Sequence, residues 1–370
     1  MKYRIYSILA ILFTLLGCQQ VEEDYQAFQM HVELPVNFPE PTYPFGDNPI
    51  TTDGFILGRK LFYDPRLSLG NGISCAECHN QSHAFTHHGH DLSEGVHPGV
   101  FGTRNAQPIQ NMAFMKEFNW DGSKDKLWDQ PLVPITDPVE MDETMSNVIS
   151  KLRSDDSYKK MFSTVFGDQG AINSVNLLKA LSQFMGALIS SNAKYDKYSR
   201  GEDGVVFSPI EKQGLSLFQQ KCASCHRGEL FTSQEFVNNG IGEHPNLPNE
   251  TGRASVTSSN PFATVDELKR SEDYYKFKVP SLRNVEKTYP YMHDGRMVLL
   301  TKVLDFYDDD TSPFLTRMDH LDPRLIQTDS DGKETLGIPM TEDEKVAILA
   351  FLKTLTDYEF LNDERYANPN

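Results

Sequence analysis

Cys75-Ala76-Glu77-Cys78-His79 and Cys222-Ala223-Ser224-Cys225-His226 decide how the rest of this chain is read. Cys-x-x-Cys-His is the spacing at which two thiols add to the vinyl groups of one haem while the adjacent imidazole ligates its iron. Two complete runs predict two covalently bound c-type haems. Cys75, Cys78, Cys222 and Cys225 are the attachment points, and His79 and His226 the axial ligands. The chain has five cysteines, and only Cys18 lies outside the runs, so no pair is left for a structural disulfide. A single zinc site built from both cysteine pairs would leave both histidines idle and close a loop from Cys78 to Cys222. A thioredoxin-like redox motif requires a strand–turn–helix context that neither run has.

Upstream of the first run, Met1-Lys2-Tyr3-Arg4, an apolar stretch from Ile5 to Leu16 and Gly17-Cys18 read as a secretory signal peptide over residues 1–17. Leu15-Leu16-Gly17-Cys18 resembles the bacterial lipoprotein cleavage box. That resemblance implies a lipidated Cys18 and an exported, periplasmic protein held at a bacterial membrane through its lipid anchor only. Residues 18–45, polar and containing Pro35, Pro39, Pro41 and Pro44, read as a tether. A length of 370 residues with one run in each half predicts two domains, 46–200 and 201–370, divided near Ser199-Arg200-Gly201-Glu202-Asp203-Gly204. The C-terminal helix is expected to pack back on the first domain. With 52 acidic against 35 basic residues, the net charge of −17 argues against nucleic acid as a partner and suits a basic electron donor.

The predicted fold class is mainly α, two c-type cytochrome-like domains each around one haem, with long irregular loops. Ser208-Pro209-Ile210-Glu211 is a capping box with proline at the first helical position, opening a helix that runs toward Cys222. Leu177, Leu181, Phe184 and Leu188 form one helical stripe over 173–193, with Leu178, Met185 and Ile189 beside it. Thr341 to Glu344 starts a last helix, with Val346, Leu349, Ala350, Phe351 and Leu355 as its expected buried face. A further helix is expected over 53–63. Strand signals are few and short.

Between and beyond the runs lie Gly102-Thr103-Arg104-Asn105, Trp120-Asp121-Gly122, Pro138-Val139-Glu140-Met141, Pro280-Ser281-Leu282-Arg283-Asn284-Val285 and Tyr289-Pro290-Tyr291-Met292-His293-Asp294-Gly295. In order and spacing these resemble the bacterial dihaem cytochrome c peroxidases and their MauG-like relatives, from about Asp53 to Leu355. The resemblance implies an enzyme in which an electron-transfer haem relays to a peroxidatic haem that reduces hydrogen peroxide to water. Glu140 would be the acid–base group, Gln130 would place peroxide or water, and Trp120 would be the indole between the haems. The donor would be a small redox protein, a cytochrome c or a cupredoxin, and homodimers are common in the family. The resemblance also implies one calcium ion, with Asn105, Thr288 and Pro290 as oxygen ligands.

Two positions bear on which branch the chain resembles. Tyr307 stands where standard peroxidases place the methionine ligand of the second haem, as in the MauG-like branch; Met297 or Met318 could bind that iron instead. A phenolate favours ferric iron where a thioether raises the potential. His97 falls where standard peroxidases carry a distal histidine on the first haem, whereas MauG-like proteins leave that face open. The alternative function is therefore a MauG-like, peroxide-dependent oxidation of a protein substrate through high-valent dihaem iron, and a non-enzymatic dihaem electron carrier is a third class. His83, His87, His88 and His90 crowd one segment and read as a solvated loop.

Overall fold

The computed structural model describes residues 32–167, 171–308 and 315–369. The signal peptide, Cys18 and the first part of the expected tether lie outside them. Short helices and long connections dominate. In chain order the helices are α1 (Thr52–Phe62), α2 (Cys75–Cys78), α3 (Leu132–Thr136), α4 (Met145–Arg153), α5 (Asp156–Phe166), α6 (Ser174–Gly186), α7 (Lys194–Ser199) and α8 (Pro209–Lys221). Then follow α9 (Ala254–Thr257), α10 (Val265–Leu268), α11 (Leu300–Asp308), α12 (Glu342–Lys353) and α13 (Tyr358–Asn362). The strands are two small antiparallel pairs, β1 (Phe236–Val237) with β2 (Phe277–Lys278), and β3 (Ile326–Thr328) with β4 (Glu334–Leu336).

Each cysteine run is preceded by a helix that crosses another helix through a glycine. On α1, Phe55, Leu57, Leu61 and Phe62 are buried, and Gly58 sits on α6, where an added Cβ would run into the Ala180 carbonyl and the Phe184 side chain. On α8, Gly214 sits on α12 in the same way, against the Ala347 carbonyl and Phe351. Both crossings therefore use a glycine facing an alanine and a phenylalanine four residues apart, one helical turn. The α8 capping box forms as expected, with Ser208 Oγ accepting from Glu211 N.

Three expectations need adjustment. The helix expected over 173–193 stops at Gly186, because Asn111 captures the following backbone: Asn111 N donates to the Leu188 carbonyl at 2.7 Å and Ser190 N donates to Asn111 Oδ1 at 2.9 Å. On α12 the buried face is Ala347, Ile348, Phe351 and Leu352, whereas Val346 is 55% exposed. The Gly214 contact on Ala347 sets that rotation. Residues 32–45, read as the end of a tether, lie on the first core, with Phe38 and Tyr43 buried and Thr42 N donating to the Ala113 carbonyl.

The first apolar core gathers α1, α4, α5 and α6 and also takes Phe360, Leu361 and Tyr366 from the C-terminal end. A second surrounds Trp120, Tyr275, Phe277 and Phe306, and a third surrounds Phe218, Phe231, Ile348 and Phe351. Gly58→Ala and Gly214→Ala should each destabilise the haem-loaded protein by about 1–3 kcal/mol by overpacking, despite a helix-propensity gain of about 1 kcal/mol. Thermal denaturation followed by helical circular dichroism checks this, and unchanged midpoints would count against the crossings.

Candidate haem cavities and active site

The first cysteine run forms α2, and His79 follows as its C-cap. The His79 ring is partly buried, and Nδ1 pairs with the Phe85 carbonyl at 2.7 Å. The second run follows α8 directly, with Cys222 as its C-cap, and His226 Nδ1 pairs with the Phe231 carbonyl at 3.2 Å. Phe85 and Phe231 both adopt positive φ, 58° and 51°, a region costly for bulky residues, and so turn their carbonyls onto the rings. A carbonyl on Nδ1 fixes the orientation and tautomer of a histidine whose other nitrogen faces a metal. Burial also lowers both imidazoles, His226 to about 4, which keeps them in the neutral ligating form.

Two cavities open beside these histidines. The first is bordered by Cys75, Cys78, His79, Gln130, Met141 and Glu140, and the second by Cys222, Cys225, His226, Tyr307, Met292 and His293. Asn105, Pro108, Trp120 and the run Lys278 to Ser281 border both, so a single wall separates them. Trp120 is 9% exposed, and its Nε1 donates to the Asn105 carbonyl at 2.8 Å. Lys278 N donates to the Trp120 carbonyl at 2.7 Å, and Asn105 N to the His293 carbonyl at 2.7 Å. Flat apolar groups tethered through the two cysteine pairs fit these cavities. In the second, His293 Nε2 is buried 3.8 Å from Asp294 Oδ2 and has no hydrogen-bond partner among the described residues, a position that a ligand carboxylate would satisfy.

Glu140 sits in the turn after α3, on the first cavity. Burial, aided by the neighbouring Asp137, pushes its carboxyl up to about 7. No ion pair holds it among the described residues. Gly95 allows the 93–102 loop to lie on the Val139–Glu140 backbone, where Val96 N donates to the Glu140 carbonyl at 2.6 Å. Gln130 lines the same cavity, its amide donating to Asn119 Oδ1 at 3.3 Å.

His97 does not line the first cavity. Its Nε2 pairs with Asp142 Oδ2 at 2.7 Å and its side chain is 46% exposed. Tyr307, on α11, lines the second cavity; Asn239 Nδ2 donates to its hydroxyl at 3.2 Å, and burial pushes the phenol up to about 12. Met297 and Met318 belong to the second apolar core and do not line that cavity, whereas Met292 and Met340 do. Asn105, Thr288 and Pro290 all border the second cavity, and Asn105 Nδ2 donates to the Asp91 carbonyl at 3.0 Å. The rings of His83 and His88 stack at 3.9 Å, as do those of His87 and His90 at 4.6 Å. Among the described residues no three His, Cys, Asp or Glu side chains are placed to hold a metal ion.

Several residues assigned no role in the sequence prove central. Arg104 joins Asp121 Oδ2 at 2.6 Å and Glu250 Oε2 at 2.7 Å, tying the Gly102–Asn105 and Trp120–Gly122 blocks to the 250s loop. Asn239 approaches Tyr307 from a stretch with no motif. Lys278 stands out in sequence only as a lone cation in Phe277-Lys278-Val279-Pro280.

Fold and cavities together define a dihaem c-type oxidoreductase. The family model for di-haem cytochrome c peroxidase matches residues 52–204. The methylamine utilization protein MauG of Methylorubrum extorquens is 31% identical over 339 residues, covering 90% of this chain and 86% of that protein. Cytochrome c551 peroxidase of Nitrosomonas europaea is 31% identical over 322 residues, 86% of this chain and 84% of that one. A crystal structure of a MauG-like protein associated with microbial copper homeostasis superposes with a TM-score of 0.76 at 29% identity, covering 92% of this chain and 99% of the other. The chain belongs to the dihaem cytochrome c peroxidase and MauG family, an oxidoreductase family with two c-type haems. The expected mainly helical class, with two cytochrome-like domains, holds.

Tyr307→Met should raise the midpoint potential of the second haem by on the order of 0.1 V, within the roughly 0.8 V that axial ligands span. Spectroelectrochemistry of the purified dihaem protein checks this; an unchanged potential would place Tyr307 off the iron. Trp120→Phe should slow electron equilibration between the haems while leaving both attached, as read by flash reduction.

Proposed function

We propose that this protein reduces hydrogen peroxide to water at the first haem, with electrons entering through the second from a small redox protein, a cytochrome c or a cupredoxin. The reading rests on Glu140: a half-buried carboxyl on the first cavity, without a cation partner among the described residues, held near neutrality. Haem iron supplies the binding site for peroxide and the redox equivalents, so that one peroxide, two protons and two electrons give two waters. Glu140 takes the proton from the peroxide oxygen nearer the iron and returns it to the departing oxygen, which a group with a pKa near the working pH does best. Gln130 orients peroxide through its amide, and Trp120 lies on the path from the second cavity. His97 is read as held by Asp142 and not by iron, which leaves the Glu140 side of the cavity open to peroxide. The same reading takes Asn105, Thr288 and Pro290 as oxygen donors to a calcium ion, and Cys18 as the lipid anchor of an exported protein.

A second reading has its own observation. Tyr307 on the second cavity and His97 away from the first match the MauG-like pattern, in which a protein substrate is the electron source. Adding peroxide to the fully oxidised protein separates the two. A fast spectral change at both haems without reductant favours a protein substrate, and a requirement for prior reduction favours the small donor.

Glu140→Gln should slow the reaction with peroxide by about 10²–10⁴-fold with both haems retained. The carboxylate is the base, so the wild-type rate should rise as pH passes upward through about 7 and level off above it. The variant should lose that step. Stopped-flow absorbance checks both, and an unaltered rate would exclude Glu140 from the chemistry.

A further inference from the structure

Lys278 is an anomaly in the wall between the cavities. It ends the two-residue strand β2 and is 8% exposed, yet it borders both cavities. Its backbone N–H is bound to the Trp120 carbonyl, and Nζ donates to the Glu117 carbonyl at 2.7 Å. No carboxylate among the described residues forms an ion pair with it. The nearby carboxylates are engaged elsewhere, Asp121 with Arg104 and Glu117 with Arg253 at 3.0 Å. Burial drives the amine down to about 8, while Glu117 and Asp121 pull it partly back. A buried ammonium with one neutral acceptor is costly, and an ammonium has three donors to place. Each haem that enters a cavity would bring two propionate carboxylates.

We propose that Lys278 is a shared positioning residue, whose ammonium binds a propionate carboxylate from the haem in each cavity and so sets the potentials of both haems together. His293 Nε2, 3% exposed on the second cavity, 3.8 Å from Asp294 Oδ2 and without a hydrogen-bond partner among the described residues, supplies a further donor there. A positive charge at the wall favours the reduced form of either neighbour, so its removal lowers both midpoints. A purely structural lysine would need only the bond to Glu117, which a glutamine amide can also make.

The experiment compares Lys278→Gln, Lys278→Met and Lys278→Arg in the dihaem protein, reading each haem's midpoint by spectroelectrochemistry and its propionate bending bands by resonance Raman. Lys278→Gln and Lys278→Met should lower both midpoints enough to cut the reduced-to-oxidised ratio at a fixed potential by about tenfold, about 59 mV for one electron. The propionate bands of both haems should shift, and Lys278→Arg should restore both signals. Unchanged midpoints in Lys278→Gln, or a shift at one haem alone, would overturn the proposal. Should the uncharged variants fail to fold, a crystal structure of the wild-type dihaem protein decides. Nζ is expected within about 3.2 Å of a carboxylate oxygen from each haem, and a separation beyond about 4 Å from either overturns it.

Discussion

The two cavities share a single wall, and the rest of the molecule is arranged to hold that wall still. Asn105, Trp120 and Lys278 are linked by consecutive hydrogen bonds, and Asn105 is bound in turn to the His293 carbonyl. The chain thereby joins a segment following the first cysteine run to two segments following the second. Redox groups on either side keep a constant separation only if such a wall cannot flex. Buried, hydrogen-bonded backbone groups provide that stiffness better than apolar contact does.

Behind the wall a second polar layer does similar work. Asn284 Nδ2 donates to Gln110 Oε1 and to Ser190 Oγ, and Asn284 Oδ1 accepts from Asp357 N. Ser190 Oγ donates to Asp357 Oδ2. Four distant stretches meet there. Beside them Arg283 pairs with Asp196 at 2.7 Å, both side chains fully buried. Such pairs add little net stability because desolvation offsets their attraction, but breaking one is severe. Their effect here is to specify a single arrangement of loops that have little regular structure of their own.

Acid–base character at the first cavity comes from contrast. Asp121 and Glu250 are buried, yet the Arg104 guanidinium holds both below the usual carboxylate range. Glu140 is half-buried with no cation partner among the described residues; desolvation, with repulsion from the neighbouring Asp137, raises its carboxyl toward neutrality. The chain thus separates carboxylates that hold structure from one that can exchange a proton, by where it places Arg104.

Part of this was written in the residues alone. The cysteine runs declare covalent haem attachment because thioether chemistry has a fixed spacing. Ser208 and Glu211 declare a helix start because capping is local. The motif blocks carried the family. Properties that depend on distant partners were decided only by tertiary structure. The face of α12 is set by Gly214 meeting Ala347, and the end of α6 by Asn111, neither visible in local periodicity. Residues 32–45 look like a tether until Ala113 accepts their backbone. His97 reads from its spacing as a candidate ligand, but Asp142, 45 residues away, holds its ring. Lys278 is unremarkable until packing places it between two cavities. Covalent chemistry and first-turn capping are short-range and therefore legible in order. Burial, charge pairing and the direction a side chain faces are properties of the closed fold.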